Sequence, residues 1–79
     1  MGALCKKNYV DAEKFLQEAV KLKPLDPVIN DHYADALWML NKNIQARYVW
    51  KYVLKLDHAE QELKDTISKK LIFGITKKL

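Results

Sequence analysis

Seventy-nine residues, 49% of them hydrophobic and 30% charged, describe one small globular domain and exclude a disordered chain. A chain this short buries only about 60% of the surface that its unfolded form exposes, so its core needs dense packing or a partner. The net charge of +4 rests on lysine, with Arg47 the sole arginine, which argues against base reading by arginine forks. No stretch approaches the roughly 18 apolar residues of a membrane span. The start, Met1 to Lys7, is too short and too quickly charged for a signal peptide, and a cytoplasmic location is expected. Cys5 has no second cysteine to pair with. Met1-Gly2 opens like a myristoylation signal, but Lys6 stands where Ser or Thr is needed.

In chain order, residues 1–6 read as the end of a helix. Lys7 and Asn8 are expected to turn the chain, with Asn8 as an N-cap. The next helix runs to about Leu22. Its expected buried face is Ala12, Phe15, Leu16, Ala19 and Val20, and its wet face carries Glu13, Lys14, Gln17, Glu18 and Lys21. Pro24 stops it. Asp26 and Pro27 then form an N-cap and first-turn pair that starts another helix. In that helix Ile29, Tyr33, Leu37 and Leu40 recur at helical spacing. Asn41, Lys42 and Asn43 break it. A partner helix follows from Ile44, with Ala46, Val49, Trp50, Val53 and Leu56 on its apolar face. Ala34, Ala36 and Ala46 permit close approach of the two backbones. Asp57 and Glu60 have capping-box spacing for a last helix from about Ala59 to Phe73, with the stripe Leu63, Ile67 and Leu71. Gly74 ends it, and residues 75–79 are expected to fray.

Sliding the chain by 34 residues, the period of a tetratricopeptide repeat, places Ala12 on Ala46, Leu16 on Trp50, Val20 on Leu54 and Leu22 on Leu56. The central hairpin resembles that family in detail. Tyr33-Ala34 supplies its large-small pair and Leu37 the next large position. Ala46 and Trp50 stand at the small and aromatic positions of the second helix, and His58 at the closing proline. The departures are Asn30 for an aromatic, Val53 for a small residue, and Asn41 where glycine is common. The stretch from Asn30 to Trp38 is similar to the last repeat of many bacterial tetratricopeptide proteins. The resemblance implies an all-α solenoid fragment of antiparallel helix-turn-helix repeats: a partial repeat over 1–24, a complete one over 25–58, a capping helix over 59–74 and a tail over 75–79. It also implies that the first helix is entered part-way. An N-terminal face at Ala3, Leu4 and the flank of Phe15 would then be left bare for a second copy or a missing partner.

What the resemblance implies for function is a non-catalytic scaffold that holds a protein segment in a groove lined by the first helices. Carried over, the groove positions are Val28, Asp31, His32, Asp35, Trp38 and Met39, with Lys69 and Phe73 from the last helix. Helical geometry alone puts Asp31, Asp35 and Trp38 on one stripe, off the Ile29–Tyr33–Leu37 stripe. Such an acidic rim with an aromatic floor would prefer a basic or amphipathic segment, including the basic tail of another copy. The family's clamp for a terminal carboxylate is not supported, since Asp31, His32 and Asp35 occupy its central positions. The bland reading of the stripe is a solvated acidic face. Asp31, His32, Asp35 and His58 invite a metal reading, but Asp31 and Asp35, one turn apart, make only a two-ligand edge, the sequence places no third ligand and His58 stands at a repeat junction, so no metal and no other cofactor is expected. With Gly2 and Gly74 the only glycines, there is no phosphate loop, and no enzyme is expected. The alternative reading is weak, non-specific nucleic-acid contact through Lys69, Lys70, Lys77 and Lys78 beside Phe73.

Overall fold

The computed structural model describes residues 2–74, with side chains from Tyr9 onward. It is all-α, with helices α1 (Gly2–Leu22), α2 (Pro27–Met39), α3 (Asn43–Leu54) and α4 (Gln61–Phe73). No strand occurs among the described residues. None of the described helices is long and apolar enough to cross a membrane. Residues 75–79 and the side chains of Ala3, Leu4 and Cys5 lie outside the described residues.

The first helix departs from expectation. α1 runs unbroken for 21 residues, straight through Lys7 and Asn8, where a turn was expected. Asparagine inside a helix costs only about 0.7 kcal/mol relative to alanine. A break would strand backbone hydrogen-bonding groups on both sides, and neither glycine nor proline stands there to force one. Residues 2–24 are therefore one helix and its exit, not two helices. Phe15, expected on the buried face, is 73% exposed. α1 packs chiefly on α2, which half-buries Ala12, Leu16, Ala19 and Val20 and leaves Phe15 and Leu22 outside the contact.

The start and stop of α2 follow the sequence closely. One carboxylate oxygen of Asp26 accepts hydrogen bonds from the amides of Val28 (2.9 Å) and Ile29 (3.0 Å), and Pro27 occupies the first turn. At the other end Asn41 takes a left-handed conformation with φ 67°. The amide of Asn41 bonds to the Trp38 carbonyl and that of Lys42 to the Leu37 carbonyl, each at 2.9 Å. This is a complete Schellman stop, and asparagine tolerates the left-handed position that glycine usually fills.

α2 and α3 form a hairpin whose close face is alanine: Ala34 and Ala46 are both 0% exposed. Trp50, Val53 and Leu37 fill the space between them, and Ile67 and Ala59 close the core from the α4 side. The capping box at the start of α4 does not form. Glu60 is the N-cap, without a side-chain bond, and α4 begins at Gln61 rather than Ala59. The amide of Ala59 instead bonds to the Leu56 carbonyl at 3.1 Å. Burial of its methyl in the core, at 7% exposure, holds residues 56–59 in a turn.

Candidate functional site

The Asp31–Asp35–Trp38 stripe of α2 faces α3 and α4 rather than open solvent. Asp31 is 6% exposed. Its Oδ1 accepts a hydrogen bond from the indole Nε1 of Trp50 at 3.1 Å and another from the Lys70 ammonium at 3.1 Å. The same ammonium reaches both oxygens of Asp35, at 3.0 and 3.2 Å. It also lies 5.7 Å from the centroid of the Trp50 ring. Lys70 arrives there because Ile67, one turn before it on α4, is fully buried and sets the helix face. Among the described residues no buried side-chain nitrogen or oxygen lacks a partner.

Beside this polar cluster, Trp38 packs on Trp50 with ring centroids 5.5 Å apart and planes tilted by 36°. The Arg47 guanidinium sits 5.7 Å from the Trp38 ring, and its Nη1 donates to the Leu71 carbonyl at 3.4 Å. Gly74 closes the far side of Trp38. A Cβ at Gly74 would fall 2.6 Å from the indole Cζ2, and the residue has φ +76°.

Burial pushes the Asp35 carboxyl above its ordinary value. The hydrogen bond from Lys70 opposes that push, and the charge of Asp31 adds to it. For Lys70, burial pulls the ammonium down, but the Asp35 hydrogen bond and the charges of Asp35 and Asp31 outweigh it. The net direction is upward. The geometry agrees with the upward direction: two carboxylates at hydrogen-bond distance face one ammonium.

Of the residues the sequence singled out, Asp31, Asp35 and Trp38 do share one cluster, but their acidity is already matched from within the chain. His32 is exposed at its edge. Donor atoms of Asp31, His32 and Asp35 lie within 4.8 Å of one another, a set that could ligate a cation. The Lys70 ammonium already bridges its two carboxylates. Met39 is half-buried. Lys69 is exposed and Phe73 is 76% exposed, neither gathered into the cluster. The lysine-tail reading loses Lys70 to the interior, and Lys77 and Lys78 lie outside the described residues.

Val28 belongs to a different feature. It is 51% exposed and lines an open cleft of about 690 Å³ between the N-terminal halves of α2 and α4. Leu63 and Pro27 share the apolar floor, and Asp26, Glu60 and Glu62 form the rim, with His58 and Thr66 completing the wall. No lysine or arginine lines it among the described residues.

Sequence reasoning missed three structural contributors. Asn30, counted as a departure from the family pattern, is 4% exposed. Its amide donates to the carbonyls of Pro24 (3.0 Å) and Asp26 (2.8 Å), stapling the α1–α2 exit. His58 Nε2 lies 2.6 Å from the Leu25 carbonyl, tying the α3–α4 turn to the same exit. Lys70, which the sequence offers only as one of the lysines for a nucleic-acid contact, is the third. Its signal was present in the register with Ile67, but a lysine beside an apolar stripe is more often solvated.

No family model, no curated protein and no solved structure matches the chain.

Proposed function

We propose that the protein is a non-catalytic interaction module of the tetratricopeptide type, which holds a basic or amphipathic protein segment between α2 and α4. The observation that carries this reading is the cleft around Val28 and Leu63, with its rim of Asp26, Glu60 and Glu62. An apolar floor orders the apolar side of a helix or extended segment, and an acidic rim selects for lysine or arginine on the other. Two helices packed on a common core make a rigid wall, so little ordering cost falls on the protein itself. The groove thus lies at the mouth of α2 and α4 rather than along Asp31 and Asp35, where Lys70 already occupies the carboxylates.

The test is fluorescence polarisation with a labelled peptide alternating lysine and leucine, against its glutamate counterpart. The lysine peptide is expected to bind and the glutamate peptide to fail. Val28→Asp, and Glu60→Lys with Glu62→Lys, are each expected to weaken binding about tenfold, one hot-spot contact's worth. Equal binding of both peptides, or indifference to the cleft substitutions, refutes the reading.

A further inference from the structure

The outer face of α3 carries a second, unrelated surface. Between Ala36 and Leu56 the chain contains no acidic residue at all. Ile44, Tyr48 and Tyr52 recur at four-residue spacing along α3 and are 85%, 78% and 38% exposed. Lys51 and Lys55 follow the same spacing beside them and are exposed. Tyr48, Lys51, Tyr52 and Lys55 together line a shallow notch of about 180 Å³. The hydroxyl of Tyr52 donates to the Pro24 carbonyl at 3.2 Å, which fixes that ring against the α1–α2 exit. The other two cations of the stretch are engaged elsewhere: Lys42 pairs with Glu13 at 3.1 Å, and Arg47 sits over Trp38.

The geometry points to a binding site for single-stranded nucleic acid on this face, with one base in the notch and its flanking phosphates on Lys51 and Lys55. A flat ring stacks on an exposed phenol whatever its sequence, and two lysines one helical turn apart, about 6 Å along the axis, track a phosphate backbone. The mixed chemistry favours a polyanion with flat faces over a protein helix. A partner helix that covered Tyr48 would strip water from Lys51 and Lys55 on the same stripe, whereas phosphates neutralise them. This site is independent of the cleft between α2 and α4, so either can fail alone.

The experiment is fluorescence anisotropy of the full chain with a short labelled oligothymidylate. Parallel arms use an abasic oligonucleotide of the same length, a duplex, polyglutamate, and phosphatidylserine–phosphatidylcholine vesicles. Oligothymidylate is expected to bind best, with a salt slope of roughly −1.4 for two phosphate contacts on a single strand. Removing the bases, or making Tyr48→Ala, should each weaken binding about tenfold. Lys51→Glu with Lys55→Glu should abolish it, and Lys69→Glu on α4 should leave it unchanged. Tyr48 is 78% exposed, so its truncation leaves the core intact, and circular dichroism confirms that each variant folds. No binding of oligothymidylate overturns the inference. So does equal binding of the abasic strand or duplex, tighter binding of vesicles or polyglutamate, indifference to Tyr48→Ala, or equal loss with Lys69→Glu.

Discussion

Lys70 on α4 donates to Asp31 on α2 across 3.1 Å, and that bond joins the last helix to the central one. Ile67 supplies the apolar part of the same junction. Removing the ammonium would leave Asp31, 6% exposed, with a buried charge answered only by the Trp50 indole. Lys70→Met, which keeps most of the side-chain bulk, is expected to cost about 2–3 kcal/mol. That is less than for a fully buried pair, because the Lys70 side chain keeps 20% of its surface. Urea unfolding followed by circular dichroism measures it. A loss under about 0.5 kcal/mol, the size of an ordinary surface substitution, would show that the pair contributes nothing.

The same pair sets a pH dependence. A lysine held charged more firmly in the fold than in the unfolded chain contributes its full stability below its unfolded value of 10.5 and loses it as pH rises through the folded value. Asp35 acts in the opposite sense to most paired carboxylates. Its value is raised above 3.8, so its ionisation subtracts stability as pH climbs through that region, and acid does not first attack the fold there. The stability gap between the wild type and Lys70→Met should therefore stay level from about pH 6 to 9 and close above about 10.5. It should also narrow in acid, where Asp35, already raised by burial and no longer opposed by the Lys70 hydrogen bond, takes up a proton. A gap that persists undiminished at the alkaline end would contradict the Lys70 direction.

Helix existence was legible in the residues because the signals were local. Asp26-Pro27 states an N-terminus, through the Asp26 carboxylate and the proline ring, and Asn41 and Gly74 each state a stop through their own positive φ. The turn at Lys7 and Asn8 was misread because polar residues permit a turn without requiring one. The candidate site was half legible. Helical spacing put Asp31, Asp35 and Trp38 on one stripe, but which way a stripe faces is decided by what packs on it. Lys70 is 39 residues from Asp31 in sequence, and only the docking of α4 brings it there.

Asn30 illustrates the same limit and gives a separable prediction. Its amide is a donor to two carbonyls, at 3.0 and 2.8 Å. Asn30→Ala loses both bonds and is expected to cost about 1–2 kcal/mol. Asn30→Asp keeps the shape but turns a carboxylate toward the same two carbonyls, so it should cost more than alanine at neutral pH. That excess should shrink in acid as the carboxyl regains a proton to donate. If aspartate is tolerated better than alanine at pH 7, the side chain is not acting as a donor.

The outer stripe of α1 raises the question of self-association. Phe15 and Leu22 on α1, and Leu25 in the turn just past its end, are 73%, 82% and 58% exposed, and no described helix covers them. Acidic and basic residues share the face, with Glu18 and Lys21 already paired at 3.3 Å, so contact there would be driven by apolar area rather than net charge. Solution mass by sedimentation is accordingly expected to rise with concentration and to persist in high salt, since screening weakens only the charged contribution. Phe15→Glu with Leu22→Glu should return the chain to a monomer while leaving its helical content unchanged, because neither side chain is in the core. A wild-type monomer at every concentration would mean that this face stays wet. Association that high salt abolishes would shift the contact to the charged surfaces, with the acidic cleft between α2 and α4 the first to test.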